Sequence, residues 1–218
     1  GNKLEDVMFY AMTFFIEGFE TAALTASSAM YELAMNPDIQ DTLHEEILQA
    51  FGDGGDIDLD VATSLPYMDK VVQESLRKYP VMYAYNRECT KSTNFEVNAK
   101  SVAIPVGCSV VIPVYSIHHD PQYYPDPEVF DPERFSEENK AQRPAYTYMP
   151  FGEGPRICPG SRFGLAQVKL LLAYLVHKYK IQRCDKTPDR LTLSSSAILV
   201  VPVEQQWIRL EKRRRFSK

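Results

Sequence analysis

Apolar and polar positions follow a helical period over much of this chain. From Leu4 to Met35, Ala, Met, Leu, Glu and Phe dominate and no proline intervenes, which predicts one long helix. Asn36-Pro37 ends it and starts another. Asp38 to Phe51 is amphipathic, with Ile39, Leu43, Ile47 and Leu48 on one side. Gly52 to Asp60 is acidic and glycine-rich, the pattern of a surface loop. Leu65 to Tyr79 predicts a further helix, closed by Pro80.

The period then changes. Between Asn94 and Val114, short runs of Val, Ile and Phe are separated by Asn, Lys and Gly, which predicts a small antiparallel sheet. His119 to Pro159 is rich in proline and aromatics and lacks periodicity. A coil of that length in a compact domain has a functional or packing reason. Ser161 to Tyr179 returns to a strong helix, with Leu165, Val168, Leu171, Leu172 and Leu175 apolar. Leu191 to Leu210 reads as strands, and the basic tail Lys-Arg-Arg-Arg-Phe-Ser-Lys as a frayed, solvated end. The architecture is mainly α with a minor antiparallel sheet.

Hydrophobic residues make up 44% and charged residues 24%, enough for a real core, and the net charge of -5 argues against a nucleic-acid binder. No signal peptide or membrane-spanning helix is read from the pattern. The chain opens without Met and already in helical pattern, so it is expected to come from something longer. Cys89, Cys108, Cys158 and Cys184 lack zinc-site spacing and are too few for a disulfide framework. Three of them read as small buried apolar residues. His44, His118, His119 and His177 show no metal-ligand spacing, and His118-His119 is expected to brace a turn.

Cys158 stands apart. It lies in Phe151-Gly152-Glu153-Gly154-Pro155-Arg156-Ile157-Cys158-Pro159-Gly160, directly before a helix. Glycines permit close backbone approach and positive φ. The helix start brings backbone N–H groups near the sulfur, and Arg156 adds positive charge, both favouring an anionic ligand. A cysteine in such a setting is a nucleophile or metal ligand; the bland alternative is an inert cysteine in a turn. Three more segments carry weight: Glu17-Gly18-Phe19-Glu20-Thr21, Glu74-Ser75-Leu76-Arg77, and Asp131-Pro132-Glu133-Arg134-Phe135. Glu74 and Arg77 share a helix face and can pair. Arg134 is placed to bind the same carboxylate bidentately.

In this order and spacing, the four segments resemble the cytochrome P-450 family from Leu4 to Leu210. The haem-loop pattern is fully matched by Phe151, Gly152, Gly154, Arg156, Cys158 and Gly160. The loop and the segment from His118 to Phe135 look most like the microsomal, insect detoxification-type branch. The resemblance implies the C-terminal part of a single cytochrome P-450 domain. Its distal helix would span 4–35, its E-x-x-R helix 65–79, its haem-thiolate loop 151–160 and the following helix 161–179.

The cofactor implied is haem b, with Cys158 as proximal iron ligand. Phe151 would pack beside the sulfur, and Arg156 and Arg87 would contact the propionates. Gly152 and Gly160 would shape the cradle. Glu74, Arg77 and Arg134 would form a buried charge triad, a specificity device more than a source of net stability. Glu20 and Thr21 match the acid–alcohol pair of oxygen activation, with Thr21 placed to distort the helix locally. Ile16, Glu17, Val81, Met82, Tyr85, Ala197 and Ile198 would lie near the distal face and form an apolar substrate pocket. Glu17 is read as a noncovalent pocket carboxylate or one turned away from the haem. The alternative is an ester to a haem methyl, which one branch of the family forms with a glutamate at this place.

The activity implied is a monooxygenase that inserts one atom of O2 into an apolar substrate. Electrons would come from NADPH through a flavoprotein reductase, steered by Arg162 and Lys169, on the cytoplasmic face of the endoplasmic reticulum membrane. Competing readings are an isomerase or dehydratase of the same fold, and a truncated haem-binding remnant. Family members are more than twice this length, so the isolated chain is expected to be inactive.

Overall fold

A computed structural model describes residues 3–53, 55–194 and 199–213. Helix α1 (Lys3–Met35) is the spine. Only its second half is buried, through residues such as Ala26, Ala29 and Leu33, while Phe14, Phe15 and Phe19 are exposed. By length and composition α1 is apolar enough to cross a bilayer, which the sequence reading did not see. Its interspersed small and polar residues gave the pattern of a core helix, and its C-terminal half is one.

Asn36 ends α1 by turning its amide back to the Glu32 carbonyl at 2.9 Å. Helix α2 (Pro37–Phe51) then buries Leu43 and Ile47. Helix α3 (Leu59–Ser64) was hidden inside and beyond the expected acidic loop; Asp58 caps it by accepting the Val61 N–H at 3.0 Å. Helix α4 (Pro66–Lys78) starts on proline, and Glu46 of α2 accepts the Tyr67 and Met68 N–H groups at 2.6 and 2.9 Å. A carboxylate from a neighbouring helix thus does what a local cap would do.

The strands form three separate two-stranded antiparallel pairs. Strand β1 (Tyr85–Glu88) pairs with β4 (Ser109–Ile112), and β2 (Thr93–Val97) with β3 (Lys100–Ile104). Asn98 and Ala99, both with positive φ, turn β2 into β3. Val114 to His118, beyond β4, is the short helix α5. The aperiodic segment contains a 3-10 turn at Pro132–Phe135, helix α6 (Glu137–Gln142) and a second 3-10 turn at Gly154–Arg156. Helix α7 (Ser161–Lys178) leads into β5 (Tyr179–Gln182), which pairs with β6 (Arg209–Lys212). Within the expected strands of Leu191 to Leu210, isolated bridges join Leu193 to Pro202 and Leu199 to Met82.

The core lies where α1, α2, α4 and α7 meet, around Leu33, Leu43, Ile47, Met68, Val72 and Leu172. Each such side chain contributes roughly 1.5–3 kcal/mol when withdrawn from water. Buried Gln40 ties the layers together. It donates to the carbonyls of Leu33 and Ile181 and accepts the Ile181 N–H, each at 2.8 Å. Arg213 corrects the expectation of a frayed tail: it donates Nε to the Val176 carbonyl at 3.1 Å. The tail beyond it lies outside the described residues.

Candidate thiolate site

The loop before α7 folds on its glycines. Gly152 and Gly154 adopt φ of 76° and 74°, conformations costly for any residue with a Cβ. Cys158 N–H returns to the Phe151 carbonyl at 2.9 Å and closes the loop. Helix α7 begins directly afterwards, with the Gly164 N–H on the Gly160 carbonyl at 2.9 Å. The Cys158 sulfur is exposed, 4.0 Å from where a Cβ on Gly160 would lie, and has no hydrogen-bond partner among the described residues. The other three cysteines are free and half-buried.

Helix α1 faces this loop. A small cavity is lined by Thr21, Ala22 and Thr25 from α1, Phe151 from the loop, Val81, and Leu165 and Val168 from α7. The Phe14 and Phe163 rings, 5.4 Å apart, help seat α1 on α7. Thr21 donates its hydroxyl to the Glu17 carbonyl at 2.6 Å. The helix remains regular α through this point, so the expected local distortion is absent. The back-bond satisfies the hydroxyl without breaking the ladder. Glu17 and Glu20 are both exposed.

Behind the loop sits the charge cluster. Arg77 donates Nε to Glu74 Oε2 at 2.7 Å and an Nη to Oε1 at 2.8 Å; both side chains are fully buried. Burial pushes the Glu74 carboxyl up from its ordinary value, while Arg77 pulls it down. The bidentate partner is therefore Arg77. Arg134 makes one ion-pair contact, Nε to Oε1 at 3.5 Å, and donates an Nη to the Asp126 carbonyl. It approaches from the side because the Asp131 N–H also occupies Oε1, at 3.0 Å. Arg77 reaches on to the His118 and Pro127 carbonyls at 3.0 and 2.8 Å.

Arg156 is exposed and has no ionic partner among the described residues. Half-buried Arg87 lies over the Tyr85 ring and, among the described residues, bonds only to the Asn86 carbonyl. Lys169, expected on the surface, is instead buried; it pairs with Asp69 at 2.8 Å and donates to the Thr63 carbonyl. Arg162 remains exposed.

Of the expected pocket residues, Val81 lines the cavity and accepts the Val200 N–H at 2.9 Å. Met82 bridges Leu199, and Ile16 is 51% exposed on α1. Tyr85 has its hydroxyl turned to the carbonyls of Met149 and Pro150. Ala197 and Ile198 lie outside the described residues. Sequence reasoning expected His118 to cap or brace a turn but did not find its partner, the Met149 N–H, which the ring accepts at 3.0 Å. Thirty-one residues separate the two, and no local pattern signals such a contact.

These features fit a haem. The exposed Cys158 sulfur and the Arg156 and Arg87 guanidiniums, which have no ionic partner among the described residues, suit an iron and two propionates. The cavity between α1 and the loop is only about 40 Å³, so α1 would stand farther from α7 with a porphyrin between them. Cys158 would hold the iron, and Arg87 and Arg156 the carboxylates.

Comparison with known proteins agrees. The chain is 42% identical over 210 residues to "Probable cytochrome P-450 6a13" of Drosophila melanogaster, covering 96% of this chain and 42% of that protein. It is 39% identical over 210 residues to "Cytochrome P-450 9e2" of Blattella germanica, covering 96% and 39%. It is 42% identical over 200 residues to "Cytochrome P-450 3A2" of Rattus norvegicus, covering 91% and 39%. The chain thus spans about two-fifths of the length of these relatives, which are insect and mammalian alike. The family model described as "Cytochrome P-450" matches residues 2–209, and with the site built as above, the chain belongs to the cytochrome P-450 family.

Proposed function

We propose that the chain is the haem-thiolate part of a monooxygenase that inserts one oxygen atom into an apolar organic substrate. The observation that carries this is an exposed, unpartnered Cys158 at the start of α7, with Thr21 of α1 facing the same cavity as Phe151. Bound haem would supply the iron chemistry of dioxygen activation. Cys158 would hold the iron and, as a thiolate, would supply electron density to it. Phe151 would shield the sulfur, and Arg87 and Arg156 would neutralise the propionates.

On α1, half-buried Thr21 would hold a proton beside the cavity. Its hydroxyl must rotate off the Glu17 carbonyl to hand that proton on, and exposed Glu20 relays replacements from solvent. Ile16, Val81 and Met82 present apolar surface to the substrate, which disfavours charged compounds. Electrons come from NADPH through a flavoprotein reductase that docks on the thiolate side, where Arg162 is exposed. The working location is the cytoplasmic face of the endoplasmic reticulum membrane.

The test is the reduced carbon-monoxide difference spectrum of the haem-loaded protein. A red-shifted Soret band is expected for thiolate ligation. A band at the ordinary histidine-ligated position sinks the assignment of Cys158. Turnover that needs NADPH and a reductase then distinguishes a monooxygenase from an isomerase of the same fold.

A further inference from the structure

The stretch just before the thiolate loop is held by side chains that do not belong to the loop. Tyr124 donates its hydroxyl to the Thr147 carbonyl at 3.0 Å. His118 Nε2 accepts the Met149 N–H at 3.0 Å. Tyr85 donates its hydroxyl to the carbonyls of Met149 and Pro150, at 2.9 and 2.8 Å. Met149 therefore has its N–H and its carbonyl both taken by side chains, one from α5 and one from β1. Beyond it, the Gly152 N–H returns to the Met149 carbonyl at 3.2 Å, and the Phe151 carbonyl receives the Cys158 N–H. The clamped backbone is thus two peptide units and one hydrogen bond away from the ligand residue.

The loop's two positive-φ glycines leave its shape partly to contacts from outside, beside its own bonds from Cys158 to Phe151 and from Ile157 to Gly154. The clamps are suited to impose it. The His118 ring is fully buried and stacks on Tyr148, with centroids 5.5 Å apart. Its own carbonyl is gripped by Arg77, which joins it to the Glu74 pair. The Tyr85 ring lies 3.8 Å from the position of a Cβ on Gly152, so it supports the turn as well as bonding ahead of it.

We propose that His118 and Tyr85 are positioning residues that pin the Met149–Pro150 backbone and thereby aim the Cys158 sulfur at the iron. The proposal rests on the haem-thiolate reading above. Partners one shell out orient metal ligands in this way, and losing them typically weakens a metal site by about 10–100-fold.

The test uses Y85F, which removes only a hydroxyl, and H118Q, which keeps an acceptor of different reach. In the haem-loaded protein, reduced under carbon monoxide, loss of the red-shifted thiolate band should run about tenfold faster in either variant. It should do so under conditions where the unfolding midpoint of Y85F is unshifted. In the same variants without haem, amide exchange at Met149 and Cys158 should quicken by about tenfold. Wild-type rates in both measurements overturn the proposal, as does band loss that merely tracks global unfolding. If H118Q fails to fold, Y85F decides. If the wild type gives no thiolate band, the haem reading fails, and amide exchange alone decides whether the clamp controls the loop.

Discussion

Glu74 and Arg77 form a two-point ion pair, at 2.7 and 2.8 Å, from which solvent is wholly excluded. A helix spacing of three brings them together, but the surroundings make the pair matter. Arg77 also satisfies two loop carbonyls, so it fastens the aperiodic segment to α4. Glu74→Gln leaves a buried guanidinium facing a neutral amide. The expected cost is about 3–5 kcal/mol, since removing one partner strands the other. Urea unfolding measures it, and a cost below about 1 kcal/mol would show that water reaches the site.

Histidine burial makes stability fall with acid. Burial, with Arg77 adding to it, lowers His118 to about 3, and burial lowers His44 to about 4. Folded, both stay neutral, whereas unfolded each takes a proton near pH ~6.5. The unfolded chain then binds more protons, so this contribution is complete above about pH 6.5 and shrinks as pH falls. The slope reaches at most about 1.4 kcal/mol per pH unit per histidine, and less for partly exposed His44. Unfolding free energies between about pH 6.5 and 5 should show a shallower slope in H118Q. An identical slope would mean that His118 is not the group responsible.

Cys158 is expected to separate ligation from folding. Its side chain is exposed and makes no hydrogen bond among the described residues. Cys158→Ala should therefore move the unfolding free energy by no more than about 0.5 kcal/mol. It should also abolish the thiolate band of the haem-loaded protein. Loss of the fold along with the band would contradict an exposed ligand.

Gly152 tests backbone strain without steric clash. At φ 76° an added Cβ would find its nearest atoms at 3.8 Å, an ordinary contact. Gly152→Ala should therefore cost about 1–2 kcal/mol through the left-handed backbone alone. Thermal unfolding reads the loss. A neutral result would indicate that the loop relaxes to negative φ.

Much of this site was legible in the linear sequence. The spacing of Phe151, Gly152, Arg156, Cys158 and Gly160 identified the loop, because its glycines and ligand act within ten residues. Glu74 and Arg77 were legible for the same reason, one helical turn apart. Helix α3 was hidden because six residues give too little periodicity, and Leu59 sat within an acidic run. Strand β1 was hidden because Tyr85–Glu88 is mostly polar, with burial supplied by its packing side alone. Lys169 sat on a helix as a plain surface cation, until α7 packed against α3 and α4, which gave it Thr63 and Asp69 as partners.

The sequence by itself determined the family, the glycine-rich cysteine loop before α7 and the order of the long helices, since each depends on residues close along the chain. Tertiary structure alone decided which arginine grips Glu74 from two sides and where the Tyr85 hydroxyl turns. It also decided that His118 holds Met149. The Tyr85 and His118 contacts join residues 31 to 65 positions apart, and Asp131, whose N–H takes the Glu74 oxygen that Arg134 approaches, lies 57 positions from Glu74, so only packing of the intervening elements brings these atoms within reach.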